Sequence, residues 1–374
     1  MNFDFSDDQQ AIKRTAHDLL AQRFKPEAVR ALAEGARYDE SHWHELSELG
    51  WAGIFVDEQY GGQGLGIVEL VILLEELGYA LAPVPFLSNA AAGLALQHAG
   101  DERLRARWLP GIASGEARGT VGVVRAGGAQ PDRREERSTI ADRASTAPRI
   151  SSGEHRTESL DAEAALVPDA DSAAVIVLFD GGTGSLHEPS ECEIEPIETI
   201  DATRRFARVR AKGDGVPIGD TAGARDRIAT AVAAELVGVS QRAMEMAVGY
   251  ARERKQFDRP IGAYQAVSHR CADMLRAVES ARSTTYWAAW AADAEPETLP
   301  LAAAMAKASA SDTGWSVTSS ALQVLGGIGF TWEHDLHFLL KRAKVDGALF
   351  GSAREHRERV AELSGLGAAA PAPA

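Results

Sequence analysis

Between Asp7 and about Arg118, apolar side chains recur every three or four residues over 11–24, 26–34, 39–49, 68–80 and 101–112, which predicts helices there. Several of these segments begin at or just after an Asp or Ser able to cap a first turn. Around Gly119 the pattern changes: 120–124, 173–179, 191–200 and 206–209 are short runs rich in Val and Ile and read as strands. Between the first two of these, from about 126 to 163, large apolar residues nearly vanish while Arg, Ser, Glu and Thr dominate, so that stretch cannot bury a core as written. Helical spacing returns from Ala222 to Leu363, with long segments at 225–253, 263–291 and 299–325, a shorter one at 335–340 and a last helix after Ser352. A bundle of about four long helices fits this spacing. The expected organisation is mainly α with a small central β domain: an N-terminal helical domain (1–118), a middle β domain (119–221, atypically polar over 126–163), a C-terminal helical bundle (222–366) and a disordered, low-complexity tail (367–374).

A chain of 374 residues, 45% of them hydrophobic, has ample material for a buried core and exceeds one compact domain. Its formal net charge of −15 argues against a general nucleic-acid or membrane-surface binder, because sequence-independent phosphate binding needs a basic face. An anionic ligand must instead meet a local basic cluster, and two exist: Arg252, Arg254, Lys255, Arg259 and Arg270, then Lys341, Arg342 and Lys344. Two cysteines, Cys192 and Cys271, make no disulfide framework and have no metal-type spacing, so both are expected to be buried thiols of a reducing, cytoplasmic protein. The acidic start and the interruption of the early apolar run by Glu75 and Glu76 predict neither a signal peptide nor a membrane span.

Residues 249–274, Gly-Tyr-Ala-Arg-Glu-Arg-Lys-Gln-Phe-Asp-Arg-Pro-Ile-Gly-Ala-Tyr-Gln-Ala-Val-Ser-His-Arg-Cys-Ala-Asp-Met, hold the richest chemistry. They read as a helix ending in a charged cluster, an Asp-Arg-Pro turn, and a new helix with Gln265 and His269 on one face. Cations and amide donors gathered beside a turn suit a phosphorylated cofactor. A second segment runs from Gln323 through Val-Leu-Gly-Gly-Ile-Gly-Phe-Thr-Trp to Arg342; its glycines follow a helix rather than a strand, which excludes P-loop and Rossmann readings. Gly326 and Gly327 would end that helix and admit a ligand close to the backbone, with Gln323 offering an amide. The glycine loop at 61–66 has the wrong spacing for a dinucleotide fingerprint and reads as a bend between packed helices. His42 and His44 beside Glu45 lack further ligands for a metal, so no metal site is expected. His334 and His337 share a helix face that contacts cofactor or forms a polar rim.

The two long motifs, in this order behind a helix-then-strand half, resemble the signature of the acyl-CoA dehydrogenase family. The resemblance implies a flavoenzyme with an N-terminal helical domain, a middle β-barrel-like domain and a C-terminal four-helix bundle, assembled as dimers or tetramers with FAD spanning a subunit interface. Arg254 and Phe257, with Gln256 between them, match positions that contact the FAD of the neighbouring subunit. Gln265 matches a further cofactor contact, and Gln323, Gly326 and Gly327 match the segment meeting the adenosine and pyrophosphate end. Where the family commonly has Gly, this chain has Asp258, which tolerates a left-handed turn better than most residues.

Family chemistry removes the α-proton of an acyl-CoA with a carboxylate while the β-hydride passes to flavin. In many members that Glu precedes a Gly near the last helix; here Phe350 precedes Gly351. Other members place it on the first helix of the C-terminal domain, and Glu235 stands within the apolar run from Ile228 to Val239. Glu235 is therefore the candidate base, the alternative being a structural acid paired with a cation such as Arg242. Ala-Ala-Glu-Leu-Val-Gly at 233–238 and Leu-Phe-Gly-Ser at 349–352 look like the actinobacterial subfamily for bulky or steroid side-chain acyl-CoAs, often heteromeric. The middle domain departs from the family: no Trp-Ile-Thr-like strand appears, and a locally altered reading frame or a divergent loop would each account for 126–163. The expected function is FAD-dependent α,β-dehydrogenation of an acyl-CoA, with an electron-transfer flavoprotein as oxidant. The alternative is a non-catalytic partner subunit of a heteromeric dehydrogenase; a DNA-associated role is disfavoured by the charge.

Overall fold

The structure is a computed structural model and describes residues 5–35, 38–124 and 162–366. Of the polar stretch at 126–163, only Ala162 and Glu163 are among the described residues; the tail at 367–374 lies outside them.

Six helices open the chain: α1 (Asp7–Arg23), α2 (Pro26–Gly35), α3 (Glu40–Glu48), α4 (Ile67–Ala80), α5 (Phe86–Ala99) and α6 (Glu102–Ser114). Their starts are chemically marked: Ser6 and Gln9 form a reciprocal cap on α1, and Asp101 accepts from the Leu104 N–H at 2.8 Å on α6. The α5 helix escapes the periodicity argument, because twelve of its fourteen residues are buried and it is apolar all round. The 61–66 loop is structural. A Cβ on Gly62 would stand 2.0 Å from the Val56 carbonyl oxygen, so only glycine fits there, and the Ile67 N–H at the head of α4 donates to the Asp293 carboxylate at 2.9–3.0 Å.

The strands β1 (Gly119–Val123), β3 (Val175–Asp180), β4 (Thr183–His187) and β7 (Val216–Ile218) form one sheet in the order β1-β3-β4-β7. A second sheet, β2-β6-β5, holds β2 (Glu163–Pro168), β6 (Phe206–Ala211) and β5 (Cys192–Ile197). On β3, Val175, Val177 and Phe179 join the helical core while Ile176 and Leu178 face a smaller core shared with Ala164, Val167 and Val209. Burial on both faces explains its unbroken apolar run. The strands β2, β4 and β7 were not evident in the sequence; β4 carries Gly and Ser in place of a Val- and Ile-rich run, and β7 is three residues with Pro217 at its centre.

Three long helices follow, α7 (Ala222–Glu253), α8 (Gln265–Ala294) and α9 (Leu299–Leu325), with shorter α10 (Leu336–Asp346) and α11 (Ala353–Leu363) packed against α9. The bundle is thus three long helices completed by short ones. One core runs from Ala16 on α1 to Ala343 on α10, so α1 and α10 share a single buried interior. Among the described residues no helix is long and apolar enough to cross a membrane. Cys192 is buried, its thiol pushed up to about 11 by desolvation and Glu191, whereas Cys271 is only half-buried.

The α4–α7 crossing depends on two glycines. A Cβ on Gly238 would stand 1.9 Å from the Glu75 carbonyl oxygen, and one on Gly78 would stand 2.2 Å from that of Glu235. Since both obstacles are helix backbone, Gly238→Ala should destabilise the protein by about 2 kcal/mol or more, read as a lower urea midpoint. An unchanged midpoint would mean the helices separate freely.

Candidate active site and cofactor face

At the end of α7, Arg254 leaves the helix in an extended conformation, and the chain turns back through the hairpin β8 (Lys255–Gln256) and β9 (Arg259–Pro260). The two turn residues, Phe257 and Asp258, have φ of 52° and 61°. A two-residue hairpin turn of this hand needs both central positions left-handed, which Asp tolerates and Phe resists. Asp258 thus keeps the bend that Gly would make. The strained conformation holds Phe257 out in solvent, at 88% exposure. Tyr264 steadies the hairpin, its hydroxyl donating to the Gln256 carbonyl at 3.1 Å and its ring lying 4.0 Å below the Arg259 guanidinium.

Gln265 is the first residue of α8 and is exposed. The α8 and α9 helices run antiparallel, the Thr313 hydroxyl reaching the Ala277 carbonyl at 3.5 Å, so the start of α8 and the end of α9 lie at the same end of the bundle. There Gln323 is exposed, and Gly326 ends α9 with φ of 64° and ψ of −139°. A Cβ on Gly326 or Gly327 would meet nothing within 4 Å. The structure therefore gathers all seven expected cofactor residues at one end, beside exposed Ile328, Phe330 and Trp332.

Glu235 is buried in a charged cluster. Arg204, on the segment entering β6, donates to both Glu235 oxygens at 2.6 and 2.8 Å and to Asp346 at 2.6 Å. Arg342 on α10 donates to Glu235 at 2.5 Å, to Asp201 at 2.6 Å, and to the carbonyl of Thr203 at 3.0 Å. Burial alone would raise the Glu235 carboxyl, but the guanidiniums of Arg204 and Arg342 outweigh it and hold the group below the usual carboxylate range. Its partners are these two arginines rather than Arg242, which donates to the Tyr79 hydroxyl at 3.3 Å. With three acids facing two arginines, burial and the Glu235 carboxylate push Asp346 up to about 7. Neither Arg204 nor Asp346 was singled out from sequence; their meeting needs elements more than a hundred residues apart.

Beyond Asp346 the chain makes a turn in which Phe350 has φ of 53° and Gly351 of 104°. Two buried side chains fix it. Lys307 of α9 donates to the carbonyls of Gly351 at 2.9 Å and Gly347 at 3.3 Å, and burial lowers its ammonium to about 8. The His356 Nε2 lies 3.0 Å from the Phe350 carbonyl. Leu349, Phe350 and Gly351 line a cavity of about 580 Å³ with Val121 and Val123 of β1 and Arg225 of α7. The acid among its described lining residues, Glu355, caps α11 through the Ser352 N–H at 2.6 Å.

Four other histidines have partners within the chain, the His334 Nδ1 accepting from the Leu336 N–H at 3.2 Å. His42 packs edge-on to Phe24 at 4.7 Å, His44 pairs with Glu48, and His337 stacks on Trp332 at 4.6 Å. Among the described residues no three metal-ligating side chains are gathered.

The arrangement, a helical front, a small two-sheet centre and a helical bundle with a ligand-ready end, is that of the acyl-CoA dehydrogenase fold. The family model described as acyl-CoA dehydrogenase, N-terminal domain, matches residues 6–116, and that for the C-terminal domain matches 213–364. The chain is 32% identical to acyl-CoA dehydrogenase IpdE2 of Mycolicibacterium smegmatis over 95% of its own length and 98% of the relative's. It is 34% identical to acyl-CoA dehydrogenase FadE34 of Mycobacterium tuberculosis over 86% of its length, which is 42% of that longer protein. A variant of the Tcur3481-Tcur3483 steroid ACAD superposes with a TM-score of 0.81 at 28% identity, over 97% of this chain and 99% of that one. A chain of the ChsE4-ChsE5 complex from Mycobacterium tuberculosis gives a TM-score of 0.82 at 24% identity over 99% and 100%, which shows the fold alone. The protein belongs to the acyl-CoA dehydrogenase family.

The charged cluster makes stability depend on pH. Asp346 has a folded pKa of about 7, above its unfolded value, so its contribution is complete below about pH 4 and is lost as pH rises through 7. Glu235 and Asp201, both depressed, act in the opposite sense and lose their contribution on acidification. Asp346→Asn should therefore flatten the decline in unfolding free energy between about pH 5 and pH 8 by roughly 2 kcal/mol or more in urea titrations. An unaltered slope would place the proton elsewhere.

Proposed function

We propose that this chain is a FAD-dependent acyl-CoA dehydrogenase that converts a bulky acyl-CoA thioester to the 2-enoyl-CoA, as a subunit of a cytoplasmic oligomer. An electron-transfer flavoprotein is the proposed oxidant. The observation carrying this reading is the exposed end of the bundle, which holds the Arg254 fork, the left-handed Phe257–Asp258 turn and the open backbone of Gly326 and Gly327. These groups fit the adenosine and pyrophosphate end of FAD: the glycines admit close approach, and Arg254 has no ion-pair partner among the described residues to compete with a phosphate. Gln256, Gln265 and Gln323 add amide donors and acceptors, and exposed Phe257 supplies an aromatic face. When bound, FAD would supply the acceptor for the β-hydride. The likeness to a steroid ACAD supports a bulky acyl group.

For Glu235 the geometry favours the structural role over the catalytic one. An anion already receiving three charge-assisted hydrogen bonds is a weak proton acceptor, and taking the α-proton would require it to leave both arginines. This clamp, with Phe350 in the turn beside the cavity, favours a second reading: the chain holds cofactor within a heteromeric dehydrogenase whose proton acceptor comes from another chain.

The purified protein, alone and with a co-expressed partner dehydrogenase chain, should show a flavin spectrum that bleaches anaerobically with bulky acyl-CoAs. Colourless protein in both preparations, even after incubation with FAD, would defeat both readings; bleaching only in the pair would select the second. Glu235→Gln should lower stability by about 3–5 kcal/mol, since it leaves two buried guanidiniums short of an anion. A Glu235→Gln protein of native stability that holds flavin but never bleaches would restore Glu235 as the base.

A further inference from the structure

Arg30 lies on α2, three hundred residues before the glycine loop in sequence, yet its guanidinium is directed at the far end of that loop. Nη1 donates to the Trp332 carbonyl at 2.5 Å, and Nη2 donates to the Glu333 carbonyl at 3.2 Å and to the Asp335 carboxylate. The same guanidinium lies 5.4 Å from the centre of the Phe338 ring. One turn further along α2, Glu34 accepts from the Trp332 indole N–H at 3.3 Å. Among the described residues, the backbone hydrogen bonds between Gly326 and Asp335 include short local turns, such as the Thr331 N–H to the Ile328 carbonyl at 3.1 Å and the His334 N–H to the Thr331 carbonyl at 3.3 Å, while from α10 His337 stacks on Trp332 at 4.6 Å and Lys341 lies over its ring. One end of the segment is thus a left-handed glycine with open space around it, and the other end is held by α2.

We propose that Arg30, supported by Glu34, is a positioning residue for cofactor binding: it fixes the 326–335 loop so that the Gly326–Gly327 backbone is presented to the cofactor in one conformation. The inference rests on the FAD reading above and adds to it a remote determinant on the N-terminal helices. Glycines lose more conformational freedom on ordering than other residues, so a glycine loop binds tightly only if something else has already ordered it. A planar fork that answers two successive carbonyls and a carboxylate at once does this in a way an ammonium does not. Because Arg30 touches neither glycine, its loss should alter affinity for the cofactor without removing any group that contacts it.

The test titrates FAD into apo-protein and follows flavin fluorescence, alongside amide hydrogen exchange of the 326–335 segment. Arg30→Ala should weaken FAD binding about tenfold or more and speed exchange in that segment, while leaving the interior of α9 unchanged. Arg30→Lys should fall between, retaining charge but not the fork. Arg23→Ala serves as the control, since it removes a comparable N-terminal ion pair, Arg23 to Glu45 at 2.7 Å, remote in sequence from the loop. If Arg30→Ala folds poorly, Glu34→Gln, which weakens only the Trp332 anchor, should still raise the FAD dissociation constant measurably. Wild-type affinity and exchange in Arg30→Ala, or equal losses in Arg23→Ala, would overturn the proposal. If wild-type protein binds no FAD, the cofactor reading fails, and the exchange data alone decide whether Arg30 orders the loop.

Discussion

Two guanidiniums removed from water cost several kcal/mol each, and this chain buries both where the β-sheet segment meets the helical bundle. Arg204 and Arg342 are tolerable there only because Asp201, Glu235 and Asp346 converge from three separate elements to receive them. The requirement is reciprocal, as each carboxylate would be equally intolerable alone. The segment leading into β6, the middle of α7 and the end of α10 must therefore assemble together. Phe206, Val345 and Leu349 pack as a small apolar group beside these charges and keep water away.

The cluster also governs its surroundings. Asp346 is the last residue of α10, and the turn lining the cavity begins immediately after it. Lys307 lies within electrostatic reach of Asp346 and holds the Gly351 carbonyl, so the left-handed Phe350–Gly351 turn is tied to the cluster by a buried lysine. The turn before Gly351 is a packed aromatic one with its own buried support.

The end of the bundle proposed to meet the cofactor follows a different logic. Its candidate cofactor-contacting side chains are exposed, its hairpin turn carries two left-handed non-glycine residues, and its helix stop is a glycine with empty space around it. Such an end gains little by itself and is the kind of surface a ligand or partner completes. Its order comes from outside, through Tyr264 on one side and Arg30 on the other.

Local chemistry was legible in the sequence. Apolar spacing gave α1 to α4 and α6 to α11, caps marked several starts, and the two long motifs pointed to the residues now found at one end of the bundle, because periodicity, turn chemistry and helix stops are decided within a few residues. The α5 helix was hidden because an element buried on all sides has no polar face to set its period, β2 and β4 because they lack the β-branched runs that mark strands, and β7 because it is three residues long with a proline at its centre. The isolation of Glu235 in an apolar helix showed that it would be buried, but not what would meet it. Its partners come from residues 204 and 342, and a charge pair between remote segments leaves no trace in spacing. Tertiary structure alone decided whether that carboxylate was poised to take a proton or held as an anion, since the answer depends on which cations the fold carries to it.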